Sequence, residues 1–144
     1  MTVAKPLVRR AGPSDAAACA NIIVDWLEAT PWITPRFTRA ELTGLIRDGL
    51  AIREIYVAGD PVTGYLSFNP EADHVVALYT AQPGQGVGKA LMDHVKVGRS
   101  YLQLWTHEPN TSAHRFYSRE GFEVVERKVE GDDGLPELRM EWRA

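Results

Sequence analysis

Apolar residues in this chain recur at two spacings, and each switch between them marks a boundary between strand and helix. Residues 3–10 alternate well enough for a first strand, and Pro13, Ser14 and Asp15 offer a start signal for a helix over 16–28. Two prolines within five positions, Pro31 and Pro35, require a loop. From Thr38 or Arg39 to about Gly49 a second helix places Leu42, Leu45 and Ile46 on one face. Strands follow at about 51–57 and 62–68, joined by the turn-forming run Ala58, Gly59, Asp60 and Pro61.

The pattern then predicts a fourth strand over 74–80, a third helix over 86–97 and a fifth strand from Tyr101 to Trp105 or Thr106. A fourth helix over 111–120 and a hairpin of 122–129 with 138–142 complete the chain, the hairpin turning through 130–136. The result is an α/β chain with about seven strands and about four helices. No repeat, linker or low-complexity tract interrupts it, so one domain is expected over 1–144.

Composition narrows the function classes. With 144 residues there is room for one domain with its own core, and 44% hydrophobic with 24% charged residues matches an ordinary globule. No apolar run approaches the ~18 residues of a membrane span, and the first residues carry no apolar signal segment, so the expected location is cytoplasmic. A formal net charge of −3 disfavours a nucleic-acid surface and suits a cationic amine better. The single cysteine, Cys19, excludes an internal disulfide and is expected to be a small buried thiol. His74, His94, His107 and His114 show no metal-ligand spacing, and no metal is expected.

The chemistry concentrates in two motifs. After Leu78, Tyr79 and Thr80 the strand pattern breaks into glycines at 84, 86 and 88 and then becomes an amphipathic helix. Such a turn lets the main chain approach a ligand without Cβ obstruction, and the helix start points unpaired N–H groups at it, which suits a phosphate or pyrophosphate. Neither of two familiar phosphate motifs fits. Pro83 stands where a P-loop needs its first glycine, and Ala90 where it needs Ser or Thr; the glycine spacing also differs from the dinucleotide fingerprint. The second motif runs from Asn110 through Ala113, Phe116 and Tyr117 to Gly121 and Phe122, following the fifth strand.

With both motifs in this order the chain resembles the GCN5-related N-acetyltransferases (GNATs), whose glycine loop holds the pyrophosphate of acetyl-CoA and whose Asn-x-x-Ala-x-x-Phe-Tyr-x-x-x-Gly-Phe segment lines the pantetheine and thiol. The second motif matches at every one of those positions; the resemblance covers about residues 3–142 and is strongest from 76 to 125. One departure stands out. Pro83 occupies the slot where the family has Arg or Gln, and the link from Leu78 and Tyr79 looks two residues shorter.

The resemblance implies the acyl-CoA N-acyltransferase fold, a mixed sheet with strands four and five splayed to admit the pantetheine. It implies transfer of the acetyl group of acetyl-CoA to a primary amine of a small molecule or peptide. Leu78, Tyr79 and Thr80 would pair with the pantetheine and polarise the acetyl carbonyl. The main chain of Gln85, Gly86, Val87, Gly88 and Lys89 would hold phosphate, with Asn110, Ala113 and Phe116 against the cofactor. Tyr117 would protonate the departing thiolate, since an ordinary phenol is protonated at neutral pH and roughly matched to a thiol. Asn110 also reads as a helix N-cap.

The base is not marked. Glu71, Asp73, His74, His107 and Glu108 lie at or beside the ends of strands four and five, and each also reads as a plain surface group. Trp26 and Trp32 form a candidate acceptor wall able to attract a cation, and the acidic turn 130–137 a candidate attractor of ammonium. Homodimers are common in that family. The alternatives are a CoA-binding sensor or interaction module without transfer activity, and an acyltransferase with a longer acyl group or a hydroxyl acceptor.

Overall fold

The computed structural model describes residues 6–144. One seven-stranded sheet runs β1-β2-β3-β4-β5-β7-β6. Its strands are β1 (Val8–Arg10), β2 (Glu54–Ala58), β3 (Gly64–Asn69), β4 (His74–Thr80), β5 (Tyr101–His107), β6 (Glu123–Lys128) and β7 (Glu137–Arg143). All neighbours are antiparallel except β4 and β5. Four α-helices complete the element order expected from the sequence: α1 (Ala16–Glu28), α2 (Arg39–Gly49), α3 (Val87–Lys96) and α4 (Thr111–Arg119). Residues 3–5 of the first predicted strand lie outside the described residues.

Alternation along the strands divides the apolar residues between two cores. Ile55, Val57 and Tyr65 pack under α1 and α2 with Cys19, Ala20, Ile23 and Ile46. Leu66, Phe68, Val75, Leu102 and Leu104 pack under α3 and α4 with Leu91, Met92 and Tyr117. Cys19 is fully buried, and burial pushes its thiol up to about 12, as suits an inert core residue.

Local chemistry sets the helix ends. The Thr38 hydroxyl accepts from Glu41 N–H at 3.1 Å while the Glu41 carboxylate accepts from Thr38 N–H at 2.9 Å, a capping box that starts α2. At its other end, Ile52 N–H and Arg53 N–H both bond the Gly49 carbonyl. That turn uses residues 51–53, expected in β2, and delays the strand to Glu54.

Asp15 anchors α1 to β1. It accepts two bonds from the Arg9 guanidinium and one from Gly12 N–H, each 2.8 Å. The Arg9 bonds, with Gly12 N–H, hold the carboxyl at about 2 against an ordinary value of 3.8. A depressed carboxylate contributes stability that is present above the unfolded value and lost as pH falls through the folded one. Asp15→Asn is therefore expected to cost ~1–2 kcal/mol at neutral pH, discounted because Arg9 is half exposed. Urea titrations should show the gap from wild type closing as pH falls below about 4 and on toward about 2.

Candidate active site

An extra residue opens the sheet. Ser67 faces Ala77 and Phe68 faces Val75, so Val76 bulges out of β4 without a partner on β3. Beyond the bulge the parity of β4 is reversed: Val75 lies in the core under α3 and α4, whereas Ala77 and Tyr79 pack toward α1 and α2. The β4–β5 ladder has a single register pair, His74 with Gln103, and Gln103 N–H bonds the Asp73 carbonyl at 2.9 Å. Past that point the two parallel strands part, with their facing edges unpaired through Thr80 and His107. Leu78, Tyr79 and Thr80 thus lie on the lip of a slot, and counting on from the His74 pair, with Val76 left out as the bulged residue, places His107 level with Tyr79.

The glycine loop sits at the open end of this slot. Gly84 and Gly86 have φ of 78° and 76°, a left-handed conformation that disfavours other residues, and Gly86 caps α3. A Cβ on either would meet nothing within 4 Å, so the side from which a ligand approaches is clear. Among the described residues, none of the N–H groups of Gln85, Gly86, Val87, Gly88 and Lys89 has an acceptor. Five donors at a helix N-terminus with open space before them fit a phosphate group. Gly88 serves differently: its Cα faces the Phe116 ring, 3.3 Å from where a Cβ would stand, so the contact sets how closely α3 approaches α4. The Lys89 ammonium is 3.5 Å from both Asp93 and Glu120, which leaves its N–H as the group facing the loop.

Tyr117 lies in the core under α3 and α4, its ring 5.4 Å from Phe116 and 5.8 Å from Phe122. The residue is only 9% exposed, and its hydroxyl, which bonds no other described group, is not sealed off, since among the described residues no buried side-chain polar atom lacks a partner. Burial, aided by nearby Tyr79, pushes the phenol above its ordinary value. It stays protonated at any working pH and holds the proton more tightly than the matched-acidity argument assumes. Asn110 is the N-cap of α4, accepting from Ala113 N–H at 3.3 Å.

On the α1 face the aromatic residues gather. Trp26 is 5.8 Å from Trp32 and 5.4 Å from Tyr79, ring centre to ring centre, and Trp32 is 5.4 Å from His107. Trp26, Thr30, Trp32, Asn110 and Thr111 line a cleft of about 190 Å³ between the end of α1 and the start of α4. His107 Nε2 lies 2.6 Å from Asp133 Oδ2, which ties the acidic turn to the end of β5. Burial works to raise the Asp133 carboxyl, but the bonds from His107 and Leu135 N–H outweigh it and leave the group below its ordinary value.

The five candidate bases separate by position. Glu71, Asp73 and His74 lie at the paired end of β4, away from the opening; burial lowers the His74 value, and Asp73 bonds Arg99. Glu108 is held by two bonds from Arg127 at 2.8 and 2.7 Å. His107 alone among them stands at the open end without a cationic partner. His107, Asp133 and Glu137 also bring one donor atom each within 4.8 Å of one another, a grouping that histidine spacing alone did not reveal. The direct His107–Asp133 hydrogen bond satisfies that pair without an ion.

Comparison with known proteins joins these observations. A family model described as "Acetyltransferase (GNAT) domain" matches residues 51–124, from the end of α2 into β6. The chain is 28% identical to the peptidyl-lysine N-acetyltransferase YiaC of Escherichia coli, over 94% of this chain and 96% of that protein. It is 35% identical to the peptidyl-lysine N-acetyltransferase YjaB of Salmonella typhimurium, over 81% and 84%. The fold is similar to that of yncA from Salmonella typhimurium, solved with its cofactor acetyl-CoA, at a TM-score of 0.72 and 19% identity, over 97% and 94% of the two chains. No helix among the described residues is long and apolar enough to cross a membrane. A sheet split by a bulge beside a glycine-capped helix, in a chain with these relatives, places the protein in the GNAT family, as an acetyl-CoA-dependent N-acetyltransferase.

Proposed function

We propose that the protein transfers the acetyl group of acetyl-CoA to a primary alkylamine, the side-chain ammonium of lysine in a peptide or protein. The observation that carries this reading is the slot between β4 and β5, with free N–H donors at its open end and an aromatic wall on its α1 side. Both curated relatives named above carry peptidyl-lysine in their names, which supports a lysine acceptor.

In this reading the N–H groups of Gln85, Gly86, Val87, Gly88 and Lys89 hold the pyrophosphate. The open edge of Leu78, Tyr79 and Thr80 pairs with the pantetheine amides, and a main-chain N–H there meets the carbonyl oxygen as it gains charge. Asn110, Ala113 and Phe116 bound the pantetheine arm from α4. The neutral amine attacks the acetyl carbonyl, the tetrahedral intermediate collapses, and Tyr117 gives its proton to the thiolate.

Calorimetric titration with acetyl-CoA, followed by thiol release against lysine peptides, free lysine and polyamines, tests this. Micromolar binding with release for lysine peptides above the other amines is the expected result. Binding with release only for small amines would sink the lysine assignment. Binding without release for any amine would leave a sensor or interaction module in its place.

A further inference from the structure

The acceptor side holds a hydrogen-bonded pair that the acetyl-CoA chemistry does not use. His107 ends β5 at the opening of the slot, level with Tyr79. Its Nε2 is 2.6 Å from Asp133 Oδ2, and this bond is largely shielded, with side-chain exposures of 24% for His107 and 16% for Asp133. A depressed carboxylate accepts Nε2–H and so sets the tautomer, leaving the lone pair on Nδ1. Among the described residues, nothing donates to Nδ1. The imidazole ring also lies against Trp32, and the main-chain carbonyl of His107 accepts from His114 Nε2 at 3.0 Å, which holds the end of β5. Trp32 in turn continues through Trp26 to Tyr79, so one aromatic wall runs from the lip of the slot to the imidazole.

An alkylammonium is drawn to ring faces and held by carboxylates, but it cannot attack a carbonyl until it loses a proton. We propose that His107, oriented by Asp133, is the general base for an acceptor ammonium that docks along Tyr79, Trp26 and Trp32. Nδ1 takes one proton from the ammonium, and the freed nitrogen lone pair forms the new bond to the acetyl carbon. As the C–S bond breaks, the thiolate takes one proton, and the amide nitrogen gives up its second. The net change is one proton released, which leaves from His107 to solvent. Asp133 is a positioning residue: it touches His107 and stabilises the imidazolium formed in the step.

This inference rests on the transfer reading above and adds a residue to it. The groups facing the imidazole are Asp133 from the β6–β7 turn and Glu137 from β7, with Trp32 on the α1 side, while His114 from α4 meets the main-chain carbonyl of the same residue. Glu108, the next residue, is occupied by Arg127 of β6.

The test is the pH profile of kcat/KM for a lysine peptide in wild type, His107→Gln and Asp133→Asn. With a base, wild type levels off above the imidazole ionisation. Without one, only amine that is already neutral reacts, so His107→Gln should fall about 10²-fold at pH 7 and then climb close to tenfold per pH unit toward the amine's own value near ~10.4. Asp133→Asn should lower kcat about tenfold with KM near wild type, because the imidazole loses the carboxylate that fixes its tautomer and direction. Added imidazole should restore part of the rate to His107→Gly. The shape of each profile does not depend on how much protein is active, so partial misfolding cannot mimic it, and acetyl-CoA affinity should match wild type in all variants. A His107→Gln profile parallel to wild type, at any height, overturns the base assignment while leaving transfer intact. A wild type that binds acetyl-CoA and acetylates no amine overturns both.

Discussion

Tyr117→Phe is expected to lower turnover about 10²-fold or more while leaving acetyl-CoA affinity within a few fold. The substitution removes one oxygen and keeps the ring, and the ring is what the core uses, wedged between Phe116 and Phe122. Since the hydroxyl bonds no described group, its loss leaves no buried partner unsatisfied, and thermal stability should hold or rise slightly. A fall in rate with stability and binding preserved therefore isolates the proton. Thiol release under saturating acetyl-CoA measures the first and calorimetry the second. Burial raises this phenol above its ordinary value, so the group remains an acid throughout the neutral range and places no alkaline limb there. Unchanged turnover in Tyr117→Phe would remove the residue from the mechanism.

The second large effect is expected at Gly64, a residue of β3 that never touches substrate. A Cβ there would stand 2.3 Å from Val87 Cγ1 and 3.0 Å from Leu91 Cδ1. Val87 opens α3 and is branched at Cβ, so it has little rotamer freedom with which to yield. Gly64→Ala must push the first turn of α3 off the sheet, at a cost of ~1–3 kcal/mol in stability. The same displacement moves the N–H groups of Val87, Gly88 and Lys89 away from the phosphate position, and acetyl-CoA binding should weaken about tenfold or more. Gly44→Ala on α2 is the control: its Cβ meets nothing within 4 Å and should be neutral or stabilising by up to ~1 kcal/mol. Melting temperature and calorimetric affinity read both variants. If Gly64→Ala binds acetyl-CoA as wild type does, the close approach of sheet and helix is not what positions the cradle.

Elements with strong local signals were readable from sequence. The Thr38–Glu41 box, Pro31 and Pro35, and the glycines before α3 are short-range features whose physics is contained in a few residues, and α1, α2 and β4 fall where they were expected. The start of β2 was not readable, because Ala51, Ile52 and Arg53 look like strand residues and only the helix end at Gly49 recruits them into a turn. Gly64 reads as a weak spot in a strand until the helix above it is known. The pairing of His107 with Asp133 spans 26 positions and two elements, so no local pattern encodes it. Trp26 and Trp32 were legible as neighbours because only five residues separate them. Tyr79 joined them through the sheet.

The bulge at Val76 has a consequence for how such a chain can change over generations. The side chain at this position is 43% exposed and packs into neither core, so many residue types would serve there. What matters is that a residue is present. Without it, Ala77, Leu78 and Tyr79 would keep their β3 partners and their faces, but β4 would lose the kink that bends it away from β5, and the slot would close into an ordinary parallel ladder. The opening is thus written into the chain as a count of residues, tolerant of drift in identity and intolerant of a single deletion.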